Sequence, residues 1–256
     1  MGQMTAMVVL LAATALCRAK ALVDPEAPLP DFFKICKRND PNLNECIKES
    51  MKSILPAIKD GYKPLEIPPI DPLSTPKFHV NHNIGNIKGN VQGKDNKVFG
   101  SSNCEIKEVR ATVTDDSLEM EIDLMFDNLI FEGNYKFDGG VNLFQIHTKG
   151  FFNISMEGVS TTWAVKGELE ERDGEKYMVI KEADMSPVPS NVNIYATNIF
   201  PDKAVNDAFL VTMNQNWRSL YKEALPILST LWGPPIKTGM NYVFEKIPFR
   251  RLFPES

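Results

Sequence analysis

Glu119, Glu121 and Asp123 alternate with Leu118, Met120, Ile122 and Leu124, and three carboxylates so close in sequence could hold a cation. In an extended strand, however, alternate residues share a face. The same spacing then makes the acids the wet side of a strand whose other side is buried, and we adopt that reading. Histidine chemistry is thin. Only His79, His82 and His147 are present, the first two fall on opposite faces of one strand, and no metal-ligand spacing links them to the cysteines. The sequence holds no G-x-S-x-G, no H-E-x-x-H, no phosphate loop and no dinucleotide fingerprint. Residues 85–94 are glycine-rich, but their spacing fits no phosphate cradle. Nothing supports an enzyme, a metal site or a cofactor.

Three of the four cysteines matter. Cys17 falls in residues 1–21, where an apolar run from Ala6 to Leu16 ends in Ala19-Lys20-Ala21, a small-x-small cleavage pattern. This predicts a signal peptide, a mature chain from about Leu22 as one domain (22–256), and a secreted, extracellular protein. The run is shorter than the roughly 20 residues a membrane span needs, so no stable membrane anchoring is expected. Losing Arg18 and Lys20 takes the formal charge from −5 to −7, which argues against nucleic acid or an anionic membrane surface as partner. In an oxidising compartment Cys36 and Cys46 are the obvious pair, closing the turn-rich segment KRNDPNLNE against a helix at Asn44–Ile58. Cys104 is left over and is read as a buried reduced thiol.

The elements that must position everything else are a long helix and a β meander. Val205, Phe209, Met213, Trp217, Leu220, Ala224, Leu228 and Leu231 recur at helical spacing, with Leu210, Tyr221, Leu225 and Trp232 as a second row. Such a broad stripe needs contact on several sides, while Asp207, Asn214, Arg218, Lys222 and Glu223 leave one edge wet. Asp202 reads as the N-cap. Pro226 predicts a kink and Gly233-Pro234-Pro235 a break, with a separate short helix at Ile236–Ile247. The proline-rich stretch Gly61–Pro76 is an extended connection. Strands are expected at 77–83, 105–114, 118–126, 128–137, 141–149, 151–157, 159–170, 177–183 and 192–199. Turns at Asp138-Gly139-Gly140 and Arg172-Asp173-Gly174 separate some of them. Asn153-Ile154-Ser155 is a glycosylation sequon inside one strand.

The order of PLPDF (Pro28–Phe32), the early cysteine pair, LEIPPIDPL (Leu65–Leu73), the meander, MNQNW (Met213–Trp217) and KIPFRRLFP (Lys246–Pro254) resembles the insect takeout / juvenile-hormone-binding protein family. The resemblance covers essentially the whole mature chain. It implies an α+β fold in which a strongly curved antiparallel sheet wraps a long C-terminal helix and encloses a tunnel for one apolar ligand. That architecture is similar to one half of the bactericidal/permeability-increasing-protein-like lipid-binding fold. It also implies a monomer and roles tied to feeding, behaviour or daily rhythm. The juvenile-hormone-binding branch carries a second disulfide that is missing from this chain, which points to the takeout-like branch. The Gly-Pro-Pro interruption is a further departure.

An apolar ligand with about 15 buried carbons gains on the order of 12 kcal/mol, against roughly 4–15 kcal/mol for association and ordering. Useful affinity therefore needs no charged anchor. The candidate lining is Met120, Ile122, Leu124, Phe126, Phe131, Tyr135 and Trp163 on the strands and Phe209, Met213, Trp217 and Tyr221 on the helix. The ligand class is a terpenoid, fatty acid or similar molecule. The alternative is the same fold filled by its own side chains, acting through its surface on a receptor or another protein.

Overall fold

In the computed structural model, which describes residues 26–84, 87–141 and 144–255, two long strands organise the sheet. β5 (Ser117–Val141) and β6 (Phe144–Arg172) pair antiparallel from Ser117↔Glu168 to Val141↔Phe144. At the base of this hairpin, β4 (Cys104–Val113) lies beside β5 and β7 (Glu175–Met185) beside β6. Along its tip the flanks are β3 (Ile87–Phe99) and β8 (Asn191–Ala196). β1 (Leu73–Thr75) and β2 (Phe78–Ile84) continue outward from β3. The expected signal peptide with Cys17 falls outside the described residues, as do the side chain of His82 and part of the glycine-rich segment.

The pairs of strands expected on either side of Asp127 and of Gly158 are single strands that change face. Leu118, Met120, Ile122, Leu124 and Phe126 point inward, then Leu129, Phe131 and Gly133 do. β6 makes the matching change, from Phe152, Ile154 and Met156 to Val159, Thr161, Trp163 and Val165. Register is kept, Phe126↔Val159 and Asn128↔Glu157. Gly158 has φ +54°, where glycine is at ease, and a Cβ there would stand 2.5 Å from Ser190 Oγ. One left-handed residue thus rotates the inward set by one position in mid-strand.

One failed expectation and one strand that was not expected share a reason. Asp138-Gly139-Gly140 is no turn but lies within β5, and much of the glycine-rich segment is β3, which the sequence pattern did not reveal. Gly139 pairs with Gly89, and a Cβ on Gly139 would meet Lys88 O at 2.2 Å. Here glycine permits close backbone approach instead of a reversal. Arg172-Asp173-Gly174 does turn the chain, with Asp173 and Gly174 both at positive φ.

The helices are α1 (Leu43–Ala57), α2 (Lys203–Gln215), α3 (Trp217–Phe244) and α4 (Phe249–Leu252). Asp202 caps α2, its side chain accepting from Val205 N. The break falls at Asn216, not at Gly233-Pro234-Pro235, and α3 runs unbroken through Pro226 and both later prolines. Proline removes donors but does not forbid helical dihedrals, and packing holds this stretch in line. Gly233 sits so close to β7 that a Cβ would touch Ala183 O at 2.2 Å, and Ile236 is buried beside it. The first helical row is also corrected at its start. Val205 is 50% exposed, and α2 instead buries Asn206 and Leu210.

Helical asparagines dock these helices onto strand edges. Asn241 of α3 accepts from Ile180 N (2.8 Å) and donates to Ile180 O (3.1 Å). Asn214 of α2 does the same for Ile194, at 2.7 and 2.9 Å, so it is not on the wet edge. Asn206 accepts from Ile199 N and donates to Ala196 O, and Asn44 of α1 accepts from Ala111 N of β4. A carboxamide presents one acceptor and two donors, so it completes an edge ladder as a neighbouring strand would. α3 touches β7 and β8 and, across the opening, β2. Since β2 and β8 flank opposite sides of the tip half, the sheet curls around the helix.

The Cys36–Cys46 disulfide is formed, and Cys104 is a free thiol. Cys104 is half-buried, less enclosed than expected, and burial pushes its thiol up to about 11.

Candidate functional site

The inner face of the tip half carries a row that its neighbours do not match. Phe131 of β5, Ile154 of β6 and Ile194 of β8 stand side by side in register, and all three keep accessible surface. The row on one side, Leu129, Met156 and Val192, is buried, as is the row on the other, Gly133, Phe152 and Ala196. The nonglycine members of those rows are at most 8% exposed. These three are thus covered less tightly than the rows on either side of them. Trp163 repeats the pattern toward the base, half-buried although Thr161, Val165, Ile122 and Met185 around it are at most 6% exposed.

Aromatic rings surround the row. Phe131 lies 5.1 Å from Phe152, 6.3 Å from Phe78 and 6.0 Å from Trp232 of α3, ring centre to ring centre. Phe131 and Ile154 touch both the large core of the base half and the small cluster formed by Phe152, Ala196 and Leu210. The inward positions of β5 and β6 named above bear no charge. Their polar atoms are few, and Thr161 Oγ1, Trp163 Nε1 and Trp232 Nε1 are buried without a hydrogen-bond partner in the protein. Tyr135 donates to Thr197 O (2.8 Å), and burial raises its phenol. Tyr221 donates to Pro187 O (2.6 Å), and burial pushes it up to about 12. Both stay neutral at any physiological pH.

The expected lining residues divide into two groups. Met120, Ile122, Leu124 and Phe126 face inward but are sealed in the base core, and Trp217 is buried against Tyr221. Phe131, Tyr135, Trp163, Phe209, Met213 and Tyr221 retain surface, although Phe209 packs edge-on against Phe200. Sequence pattern alone passed over Ile154, Ile194, Phe152 and Phe78, and it left Trp232 out of the lining. The alternation of Phe152, Ile154 and Met156 could have revealed the strand residues. Trp232 was hidden by its place beside the expected helix break.

The remaining candidates lead elsewhere. Glu119 and Glu121 are exposed as expected, and Asp123 is half-buried. Arg110 of β4 bridges Glu108, Glu121 and Asp123, and its hydrogen bonds hold the Asp123 carboxyl below its ordinary range. Among the described residues no group of three or more His, Cys, Asp or Glu side chains is placed to hold a metal. No described helix is long and apolar enough to cross a membrane. A separate cavity of about 70 Å3, lined by residues such as Pro28, Tyr62 and Ile247, is too small for a terpenoid or a fatty acid.

The model of the haemolymph juvenile hormone binding protein family matches residues 7–254. The chain belongs to this family. Among solved structures, that of Takeout 1 from Epiphyas postvittana superposes with a TM-score of 0.71 at 19% identity, over 86% of this chain and 99% of that one. The two therefore share a fold, an antiparallel sheet wrapped on a long C-terminal helix. Lipopolysaccharide binding protein aligns over 83% of this chain and 40% of its own, with a TM-score of 0.40 at 13% identity. No curated protein matches the sequence. Within the family frame, the Gly-Pro-Pro segment that looked like a departure leaves α3 continuous.

Proposed function

We propose that this chain is a secreted carrier that encloses one small, uncharged apolar molecule between the inner face of the tip half and α3. The observation that carries the reading is the row Phe131–Ile154–Ile194, which keeps accessible surface between two buried rows. Family membership supports a hydrophobic ligand, and the juvenile hormone named by the family is one member of the class. Enclosing a carboxylate away from water without a partner charge is costly. The uncharged inner positions therefore favour an ester, ether, alcohol or ketone over an ionised fatty acid. Phe131, Ile154, Ile194, Trp163 and Trp232 form the wall in this reading, with Tyr135, Met213 and Tyr221 at its margins. One chain supplies all of them, so a monomer suffices.

Ile154→Trp tests this by filling the space from within. Its unfolding midpoint should stay within about 1.5 kcal/mol of the parent, since it adds volume where room exists. Its affinity for an apolar fluorescent probe such as N-phenyl-1-naphthylamine should fall by ten-fold or more. Solvent extraction of protein from its natural source, followed by mass spectrometry, should return one apolar species at near one-to-one ratio. Reproducibly empty protein that also fails to bind the probe would overturn the carrier in favour of action through the surface.

A further inference from the structure

The outer face of the same tip half carries a second feature, independent of the enclosed space. Asn153 begins the tripeptide Asn153-Ile154-Ser155 and faces away from the core, since Phe152 and Ile154 on either side of it face inward. Its carboxamide lies along the outer surface, Nδ2 donating to Glu132 Oε2 at 3.1 Å. Two aromatic side chains flank it on that face. Phe151 precedes it by two residues on the same strand and is 37% exposed. Tyr195 is its direct cross-strand partner on β8 and is 49% exposed. These positions lie roughly 7 Å and 5 Å from Asn153, within the breadth of one sugar ring.

We propose that Asn153 carries an N-linked glycan whose first N-acetylhexosamine lies over Phe151 and Tyr195. A pyranose presents a face of C–H bonds, and aromatic rings attract such a face as they attract other positively polarised edges. Phe151 and Tyr195 both leave ring surface exposed on this face, and a sugar on Asn153 is tethered beside the two of them. The chemistry needs one co-reactant of the secretory lumen, an oligosaccharide borne on an isoprenoid diphosphate. Asn153 Nδ2 forms a bond to the anomeric carbon and gives up one proton, while the bond from that carbon to the diphosphate oxygen breaks and the lipid diphosphate leaves. Transfer to a chain still unfolded is not hindered by the later strand. The folded protein needs only that Nδ2 face outward, as it does.

The test uses the full chain produced in insect cells and recovered from medium, membranes and cytosol. Intact mass should show one glycan, and peptide-N-glycosidase should remove it and leave Asp at position 153. Asn153→Gln and Ser155→Ala should both lack the glycan while binding the apolar probe as the parent does, which separates this proposal from the carrier reading. Enzymatic removal of the glycan should lower Tm by roughly 2–4 °C. In Phe151→Ala the glycan should remain, and that Tm difference should shrink by half or more. Asn153 found unmodified in every fraction would overturn the site. A Tm shift on deglycosylation that is equal in the parent and Phe151→Ala would overturn the sugar–aromatic stacking.

Discussion

The base and tip halves of the β5–β6 hairpin are built from the same two strands in one continuous register, yet they are closed differently. In the base half, Leu118, Ile122 and Val159 are fully buried, as are Met178 and Ile180 of β7. In the tip half, the equivalent inward positions Phe131 and Ile154 keep surface. Both halves are apolar inside, so composition does not distinguish them. The difference lies in what covers each half. The base is sealed by α1, α4, the C-terminal segment and the lower part of α3, whereas α2 and α3 bridge the tip from one edge to the other. One sheet thus combines a solid core with a row that is covered less tightly.

The sharpest way to break this comparison is a pair of truncations. Ile122→Ala empties a fully enclosed site and should cost roughly 2–5 kcal/mol in denaturant unfolding, with little change in probe affinity. Ile154→Ala should cost less than Ile122→Ala in the empty protein, as the carrier reading requires and as the lighter cover of Ile154 favours. Equal losses at the two sites would dissolve the distinction between the halves.

Reducing the Cys36–Cys46 disulfide should cost roughly 2–3 kcal/mol for a loop of this length. Probe binding in the tip half should survive, since the disulfide anchors the segment before α1. Asn241→Ala and Asn214→Ala compare the two helix clamps. Each leaves a strand-edge N–H and C=O without its partner and should lower stability by about 1–3 kcal/mol. Asn214→Ala should weaken probe binding more, because Ile194 belongs to the half-exposed row.

Cys104 provides a pH test confined to the base half. Its folded thiol is pushed up to about 11, against 9.0 for the ordinary group. The unfolded chain therefore loses that proton first, and the contribution to stability falls as pH rises from about 9 to about 11. Relative to Cys104→Ala, the parent should lose stability across that window and show no such relative loss below pH 8. Rapid thiol labelling of the native protein at neutral pH would contradict the burial that raises it. The smallest expected effect is that of Glu121→Lys, about 0.5 kcal/mol, because the exposed outer face keeps Glu108 and Asp123 around Arg110. A loss as large as that of Ile122→Ala would refute the assignment of faces in this strand.

Much of the frame could be read from residue order. Leu118–Phe126 shows its faces by alternation, Asp202 announces the start of α2, and the short separation of Cys36 and Cys46 anticipates their bond. β3 stayed hidden because Gly89 and Gly93 interrupt any period of two, and glycine signals turns more often than close strand pairing. The candidate row stayed hidden for another reason. Ile154 looks like any other inward residue, and its surface depends on what the rest of the fold lays over it.

The sequence by itself determined the apolar and wet faces of a regular strand such as Leu118–Phe126 and which cysteines pair, because these follow from short-range periodicity and separation along the chain. Only the tertiary structure decided that α3 runs through Gly233-Pro234-Pro235, since the packing against Ala183 and the clamp on Ile180 come from β7, about 50 to 60 residues earlier in the chain. It alone decided that the row Phe131–Ile154–Ile194 keeps surface while the rows beside it are buried. Local pattern sets which side chains seek the interior, whereas the distance between the surfaces that bury them is set by contacts made across the whole molecule.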